Sequence, residues 1–503
     1  MSWIKQQAAR VWAAWTARQY ERYRRRAVAD QQRWFRRITD TAAATRFGRE
    51  HGLRRGLSLD EYRRHVPLGD YETFRPYIEA IIAGERDVLW PGRPLYLAKT
   101  SGTTSGVKYI PISRQSMPYH IKAARDLMLL YLHRSGNLDI LDGKMIFLQG
   151  SPVLEKKGDI PTGRLSGIAA HYVPAYLQRN RLPSWETNSI EDWETKVERI
   201  LDETVSQNMT VFSGIPSWII HYFEKIVART GKPVGEVFPG FKLYVSGGTA
   251  FGPYRSKFEQ LVGRPVDLVE TYPASEGFMA FSDDYTRDDM LLLTNHGIFY
   301  EFVPVERVHD AQPPRLTLDR VETGKDYAVI LTTNAGLYSY MIGDTVRFTS
   351  LAPYRITVSG RVHHYISAFG EHVIAKEVEE AMRSAIEATG AQVNEFSVAP
   401  RVNPESGLPY HEWLVEFERM PADPAAFIAH IDRRMQEQNI YYRDLIEGKI
   451  LRPAVLTPVR KGGFAAYMDS IGKLGGQNKV PRLKNDCSVA DALYRLDLIR
   501  QNA

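Results

Sequence analysis

The sequence predicts an α/β fold in which a large first domain of β-sheets flanked by helices precedes a smaller α+β domain. Two observations favour this class. From about residue 95 to residue 350, short apolar runs typical of strands alternate with stretches of helical periodicity, which is the pattern of sheets covered by helices. The chain has 503 residues, and at a typical size of about 150 residues per domain it should form two or three folding units.

Residues 1–90 are predicted to be mainly helical. Within them, Val11, Trp12, Trp15, Tyr20 and Tyr23 recur at helical spacing with arginines around them, which predicts a helix that packs through these side chains. The strands that follow are predicted at the apolar runs "KMIFLQG", "MTVFSG", "FKLYVSGG", "VDLVETY" and "YAVILTTN". Helices are predicted between them at "SIEDWETKVERILDETVSQ" and "SWIIHYFEKIVART".

A second unit is predicted from Ser359 onward. It contains the helical pattern "IAKEVEEAMRSAIEATG", the strand-like runs "NEFSVAPRV" and "HEWLVEFERM", and a further helix near "AAFIAHIDRRMQEQN". The predicted domains are therefore 1–358 and 359–503.

The formal net charge of +6 is concentrated at the start of the chain. Residues 1–60 contain 14 Lys/Arg and 5 Asp/Glu, so the rest of the chain is slightly acidic. The basic start is interpreted either as the solvated face of a packing helix or as a contact with an anionic surface or nucleic acid. Charges elsewhere are dispersed, and no nucleic-acid partner is expected.

Cysteine content and hydropathy indicate the cellular setting. Cys487 is the only cysteine, so no intrachain disulfide forms and a reducing, cytoplasmic location is expected. It has no Cys/His neighbours in the sequence, and neither a metal site nor a reactive thiol is predicted there. The start lacks a cleavable apolar signal, and no apolar run approaches the ~18 residues that span a bilayer.

The stretch "LAKTSGTTSGVKYIPIS", residues 97–113, places small and hydroxyl residues between two apolar runs. Such a loop directs several backbone N–H groups and hydroxyls at one anion, and phosphate is the natural ligand. A P-loop of the NTPase type is excluded, because only three residues separate Gly102 from Gly106 and Tyr109 follows Lys108. A hairpin turn without a ligand is the alternative.

Five segments in a fixed order resemble the adenylate-forming acyl- and aryl-CoA ligase superfamily. They are "TSGTTSGVK", "KLYVSGGTAFGP", "VETYPASEG", "YMIGD" and "SGRVHHYISAFGEHVIAKEVE". In that order they are similar to the superfamily's phosphate loop, adenine-facing strand end, aromatic-and-glutamate motif, ribose-binding motif and hinge. The flanking segments "TRFGREHGL", "GLYSYMIGDTV" and "GGQNKVPRL" match the GH3 acyl acid amido synthetases more closely.

This resemblance implies a large N-terminal domain and a small mobile C-terminal domain that rotates about a hinge at 359–364. It also implies that ATP and Mg²⁺ serve to convert a carboxylic acid into an acyl-AMP, which is then coupled to an amine, usually an amino acid. The expected partners are these small molecules, and a monomer is expected. An acyl-CoA ligase is the nearest alternative, and a non-catalytic nucleotide- or carboxylate-binding protein is the other.

The chemistry of this reaction suits the residues of the motifs. Acyl-AMP formation gathers negative charge on phosphate oxygens, which the loop hydroxyls and N–H groups and the ammonium of Lys108 can stabilise. Glu276 is the expected Mg²⁺ ligand, because carboxylates bind hard cations. Tyr272 offers a flat face for adenine, and Asp344 can accept two hydrogen bonds from a ribose diol. From the C-terminal domain, Lys479 is expected to reach the α-phosphate, with Lys473 as its competitor.

The whole expected site comprises three sets. The catalytic residues are Lys108, Glu276 and Lys479, of which Glu276 is also the metal ligand. The expected ATP-binding residues are Thr100, Ser101, Gly102, Thr103, Thr104, Ser105, Gly106, Ser246, Gly247, Gly248, Thr249, Thr271, Tyr272, Asp344, Arg361 and His372. The expected acyl-substrate pocket, placed by position alone, is Tyr119, His120, Ile215 and Trp218. Two positions depart from the family pattern: Met341 replaces the arginine of the ribose motif, and His372 lies where plant members resemble "DK".

Overall fold

The computed structural model describes residues 3–101, 107–173, 178–248, 251–308, 310–362, 365–366, 368–371, 373–471 and 480–500. The α/β class predicted from the sequence is confirmed, because helices enclose sheets of 11 and 4 strands and a 3-stranded sheet lies near the C-terminal end. Among the described residues, none of the helices combines the length and the apolar character needed to cross a membrane.

Helices make up most of the first 90 residues. They are α1 (Trp3–Arg24), α2 (Ala27–Ala42), α3 (Arg46–Glu50), α4 (Leu59–His65) and α5 (Tyr71–Ile82). Two of their starts follow directly from local sequence. Ser58 and Glu61 form a capping box at α4, and the Asp70 carboxylate accepts two backbone N–H groups at the start of α5. These side chains satisfy amide groups that have no partner within the helix.

The packing face of α1 agrees with the prediction at Tyr20 and Tyr23 and differs from it nearer the start of the helix. Ala13 and Tyr20 are buried beside α6 (Met117–Ser135), whereas Val11, Trp12 and Trp15 are exposed. Small side chains on one face of a helix let a neighbouring helix approach closely, since the interaxial distance depends on the residues at the contact. The alanine-rich face of α1 is therefore the one that packs, and the large aromatic residues on the other side remain in solvent.

One 11-stranded sheet forms the centre of the fold. Its strands are β3 (Lys144–Phe147), β6 (Arg181–Leu182), β7 (Met209–Gly214), β8 (Leu243–Gly247), β9 (Asp267–Ala274), β10 (Gly277–Phe281), β11 (Met290–Leu292), β12 (Ile298–Pro304), β13 (Asp326–Thr333), β14 (Tyr340–Leu351) and β15 (Tyr354–Arg361). The spatial order is β12-β13-β14-β15-β11-β10-β9-β8-β7-β3-β6. The half from β6 to β9 is parallel and the remainder is antiparallel, so β9 is the junction between the halves.

A 4-stranded sheet contains the two strands on either side of the hydroxyl-rich loop. Its strands are β1 (Tyr96–Ser101), β2 (Val107–Ile112), β4 (Glu155–Lys157) and β5 (Ile160–Gly163), in the spatial order β2-β1-β5-β4. Around the sheets lie α6 and α7 (Leu165–Ala170), α8 (Trp185–Asn188), α9 (Trp193–Thr204), α10 (Pro216–Thr230), α11 (Val234–Val237) and α12 (Arg255–Val262).

The C-terminal part is an α+β arrangement. Its strands are β16 (Tyr365–Ile366), β17 (Val373–Ile374), β18 (Gln392–Arg401), β19 (Tyr410–Arg419) and β20 (Val455–Val459). Its helices are α13 (Ala375–Thr389), α14 (Pro424–Gln438), α15 (Ile440–Glu447), α16 (Gly463–Ser470) and α17 (Ser488–Arg495). β19 pairs antiparallel with β18 and parallel with β20.

Two large apolar cores support the two halves of the central sheet. One joins the helical start of the chain to the antiparallel strands, with Phe47 and Tyr340 among its residues. The other runs from the parallel strands and helices α9–α12 into the C-terminal part, and contains both Phe212 and Trp413. Burial of apolar surface is the main stabilising term in folding, so the second core is what fixes the C-terminal part beside the parallel strands in this conformation.

Candidate active site

The parallel strands end together at one edge of the central sheet. Gly214 at the end of β7 lies opposite Ser246 at the end of β8, and Gly247 lies opposite Thr271 of β9. In open parallel sheets, ligands bind beyond the carboxyl ends of the strands. This register therefore brings two of the predicted ATP-binding motifs to one place.

Bare backbone is exposed to this edge at the end of β8. A Cβ on Gly247 would lie 2.4 Å from the hydroxyl oxygen of Thr271, so a side chain here would displace that hydroxyl. Gly248 has a φ of +88°, a conformation that L side chains rarely adopt. The Thr271 hydroxyl donates to the carbonyl of the buried Ser246 at 2.9 Å, which fixes the strand end against β9. A flat ligand can therefore approach the backbone closely here.

Tyr272 and Asp344 meet across the junction of the sheet halves. The Tyr272 hydroxyl on β9 donates to a carboxylate oxygen of Asp344 on β14 at 2.7 Å. Both side chains are 9% exposed, and Asp344 lies opposite Arg361 in the register of β14 and β15. A charge-assisted hydrogen bond of this kind is short and directional. It fixes the orientation of the Asp344 carboxylate beside the strand ends.

Glu276 lies in the tight turn between β9 and β10. Ala274 pairs with Gly277 across this turn, and Glu276 is 8% exposed. Lys108 is also 8% exposed; it lies on β2 opposite Thr100 of β1, with its ammonium 5.5 Å from the ring centroid of Tyr71. The structure thus holds one predicted carboxylate and one predicted cation in nearly buried positions beside paired strands, as preorganised charge requires.

Several predicted site residues lie outside the described residues. They are Gly102, Thr103, Thr104, Ser105, Gly106, Thr249, His372, Lys473 and Lys479. For Ser101 and Arg361 the strand position is described and the side chain is not.

The predicted acyl-pocket residues fall in two places. Ile215 and Trp218 lie at the strand-end edge, where a Cβ on Gly248 would come within 3.2 Å of Ile215. Tyr119 packs edge-on against Trp34 of α2, with ring centroids 5.5 Å apart. His120 is buried, and desolvation lowers its pKa to about 4, so the imidazole is neutral near pH 7.

A cleft of about 600 Å³ opens beside this edge, between the first half of the chain and α15. Lys99 and Val107, which flank the hydroxyl-rich loop, line this cleft together with Trp218. Its remaining lining is rich in charge of both signs, with Glu155, Arg164, Glu191, Asp192, Lys196, Arg443, Asp444 and Glu447. Mixed charge of this kind suits a ligand that itself carries both signs.

Lys196 is the most buried cation of this cleft, at 3% exposure. Its ammonium donates to the carbonyls of Gln149 at 3.1 Å and Asn188 at 2.7 Å. Burial, with a smaller effect from the nearby positive charge of Arg164, lowers the pKa of Lys196 to about 8. The group therefore remains largely protonated at neutral pH, and its hydrogen-bonded partners are uncharged carbonyls.

Arg164 connects the two halves of the chain across the cleft. Its guanidinium pairs with Asp444 of α15 and lies 4.8 Å from the ring centroid of Tyr441. The Tyr441 hydroxyl donates to the carbonyl of Lys99 at 3.2 Å, immediately before the hydroxyl-rich loop. The sequence did not single out Arg164, Lys196, Tyr441 or Asp444, because each lies in an ordinary amphipathic or loop segment, and only the fold brings them together.

Models of one protein family match most of the chain. Family models match residues 16–191 as the GH3 family N-terminal domain, 291–361 as its central domain and 376–488 as its C-terminal domain.

Two curated rice relatives cover almost the whole chain. A jasmonoyl–L-amino acid synthetase of Oryza sativa subsp. japonica is 23% identical over 93% of this chain and 94% of its own length. An indole-3-acetic acid-amido synthetase of Oryza sativa subsp. indica is 27% identical over 90% of this chain and 88% of its own length.

Solved structures share the fold. An acyl acid amido synthetase in complex with 2,4-DB matches with a TM-score of 0.58 and 18% identity, over 95% of this chain and 94% of the other. A 2-hydroxyisobutyryl-CoA ligase in complex with 2-HIB-AMP and CoA matches with a TM-score of 0.58 and 16% identity, over 94% of this chain and 92% of the other.

Proposed function

The chain belongs to the GH3 family, and on this basis we propose that it is an ATP-dependent acid–amino acid ligase. It activates a carboxylic acid as acyl-AMP and then transfers the acyl group to the amino group of an amino acid. The observation that carries this proposal is the meeting of three elements at one sheet edge: the glycine backbone of β8, the Tyr272–Asp344 pair and Glu276.

In the first step, a carboxylate oxygen of the acid attacks the α-phosphorus of ATP, and pyrophosphate leaves. Gly247 and Gly248 would let the adenine lie against bare backbone beside Tyr272. Asp344, oriented by the Tyr272 hydroxyl, would accept hydrogen bonds from the ribose. Lys108 and the hydroxyl-rich loop would stabilise the charge that develops on the phosphate oxygens, and stabilisation of developing charge is usually the largest contribution to catalysis.

Mg²⁺ fits this site through a single protein carboxylate. No group of at least three His, Cys, Asp or Glu side chains that could enclose a metal ion occurs in the described part of the chain. Mg²⁺ does not require one, because it is commonly held by one or two carboxylates together with substrate phosphates and water. Glu276, nearly buried in its turn, supplies that carboxylate, and the ion would neutralise charge on the phosphates.

In the second step, the amine nitrogen forms a bond to the acyl carbon, the bond from that carbon to the AMP oxygen breaks, and a proton is released. We propose that the amino acid enters through the charged cleft, because Lys99 and Val107, which flank the phosphate loop, line this cleft. Arg164 and Lys196 would bind the α-carboxylate of the amino acid, since both are cations that line the cleft. The acidic residues of the cleft would favour its ammonium group.

The two steps require different surroundings for the same acyl-AMP, and we propose that residues beyond the hinge at 359–364 rotate between them. In this proposal Lys479 approaches the α-phosphate for the first step and withdraws for the second. The enzyme is further proposed to act as a monomer in the cytoplasm, where the free thiol of Cys487 stays reduced.

An acyl-CoA thioester is the second candidate product. It is favoured by one observation, that the CoA ligase neighbour matches with the same TM-score as the amido synthetase neighbour. ATP–pyrophosphate exchange across a panel of aryl and aliphatic acids tests the first step. Mass detection of products formed with mixed amino acids or with CoA then identifies the acceptor. Exchange with amide products supports the proposal, thioester products select the second candidate, and an absence of exchange with every acid contradicts both.

A further inference from the structure

The outward face of α1 carries a stripe of large apolar side chains followed by arginines. Val11, Trp12 and Trp15 are 70%, 38% and 54% exposed, and Arg18 and Arg22 are exposed as well. Positions 11, 15, 18 and 22 are three or four residues apart, so these side chains lie along one side of the helix. We call these five residues the α1 stripe.

Packing among the residues that the structure describes leaves most of the α1 stripe exposed. The opposite face of the helix already provides the contact with α6, through Ala13 and Tyr20. Trp12 is held in place from the side, with its ring centroid 5.3 Å from the guanidinium carbon of Arg125 on α6. A contiguous group of exposed aromatic side chains in a soluble fold marks an interaction surface.

Charge indicates which partner this surface fits. Residues 1–60 hold 14 Lys/Arg against 5 Asp/Glu, although the chain as a whole carries only +6. The excess of positive charge is therefore local to the helical start that contains the α1 stripe. A partner with a dense negative surface and an apolar layer beneath it would satisfy both the arginines and the tryptophans.

We propose that the α1 stripe docks on the surface of an anionic lipid bilayer. Trp12 and Trp15 lie at the level of the headgroups, where amphipathic aromatic rings are favoured, and Arg18 and Arg22 contact lipid phosphates. Helices that present tryptophan beside arginine bind in this interfacial manner without spanning the membrane. A second copy of the chain fits less well, because a symmetric contact places the same patch on both sides and the α1 stripe contains no acidic side chain that could pair with Arg18 and Arg22.

Flotation of the full-length protein with lipid vesicles tests this proposal. The protein should float with vesicles of equal parts phosphatidylglycerol and phosphatidylcholine and remain behind with phosphatidylcholine alone, and added salt should weaken the binding. Each arginine near an anionic leaflet strengthens binding about fivefold, so the double variant Arg18→Gln, Arg22→Gln should lower the partition coefficient about twenty-five-fold. The double variant Trp12→Ala, Trp15→Ala should lower it about tenfold or more.

Matched controls come from exposed residues elsewhere in the chain. Trp185 is 52% exposed, and the side chains of Arg307 and Arg320 are 54% and 75% exposed. Trp185→Ala and the double variant Arg307→Gln, Arg320→Gln should leave the partition coefficient unchanged. Because all substituted side chains are exposed, the unfolding temperatures should match that of the original protein and show that every variant is folded.

Three results would overturn the proposal. The first is an absence of binding to the anionic vesicles, or equal flotation of the stripe variants and the controls. The second is a dimer in sedimentation that the double variant Trp12→Ala, Trp15→Ala dissociates, which would assign the surface to a second copy. The third is binding to duplex DNA that exceeds vesicle binding and depends on Arg18 and Arg22 alone. ATP–pyrophosphate exchange in the absence of lipid does not enter this test, so the proposed ligase activity stands or fails separately.

Discussion

Replacement of Tyr272 by Phe removes a single hydroxyl from the candidate site. That hydroxyl donates to Asp344 at 2.7 Å, and both side chains are 9% exposed. Hydrogen bonds to a charged group contribute about 1.5–3 kcal/mol, so Tyr272→Phe should reduce the free energy of unfolding by about 2 kcal/mol. The Asp344 carboxylate would also lose its fixed orientation, and ATP should bind about tenfold more weakly, which corresponds to about 1.4 kcal/mol and the loss of one ribose hydrogen bond.

The same strand offers a matched control. The Tyr131 hydroxyl donates to Asp267 at 2.7 Å, and Asp267 begins β9 at the end opposite to Tyr272. Tyr131→Phe removes the same kind of bond, together with one that the Tyr131 hydroxyl accepts from Asn137 at 3.3 Å, and should cause a similar or larger loss of stability, but ATP binding should not change. Chemical denaturation measures the first quantity, and calorimetric titration with ATP and Mg²⁺ measures the second.

A double-mutant cycle isolates the pair. In the background of Asp344→Ala, the further change Tyr272→Phe should weaken ATP binding little, because the hydroxyl acts through the carboxylate. Fully additive effects of the two substitutions on ATP affinity would refute this reasoning. So would equal weakening of ATP binding by Tyr131→Phe and Tyr272→Phe, since the effect would then reflect stability alone.

Three further predictions concern the charged groups. Glu276→Gln should slow ATP–pyrophosphate exchange about 10²–10³-fold, as loss of one charge-stabilising group does; exchange near the original rate would contradict its role. Lys196→Met should raise the KM for the amino acid about tenfold while ATP–pyrophosphate exchange is retained, and this increase in KM should shrink as the pH rises through about 8, where Lys196 loses its proton. The control is Lys225→Met, which removes a lysine paired with Glu198. An equal increase in KM for both variants would exclude the cleft as the amino acid site. Lys479→Ala should slow acyl-AMP formation more than amide transfer from supplied acyl-AMP, and the reverse pattern, or a loss confined to Lys473→Ala, would assign the role elsewhere.

The sequence by itself determined the fold class and located the motifs of the candidate active site. Motifs such as the hydroxyl-rich loop and the segment ending in Glu276 are continuous stretches of sequence, and their glycines reflect local requirements of the backbone. Gly247 and Gly248 illustrate this, because one is constrained by Thr271 and the other by its φ of +88°. Such local constraints can be recognised without knowledge of the distant parts of the chain.

The tertiary structure alone decided which distant residues meet. Tyr272 and Asp344 are 72 positions apart, and Arg164 and Asp444 are 280 apart. Strand order and helix docking bring them together, and no local pattern records either. The tertiary structure also decided which face of α1 packs. Helical periodicity identified an apolar face, but both faces of this helix carry apolar residues. Close approach to α6 selected the alanine side, because packing depends on the shape of the neighbouring helix, which the sequence of α1 does not contain.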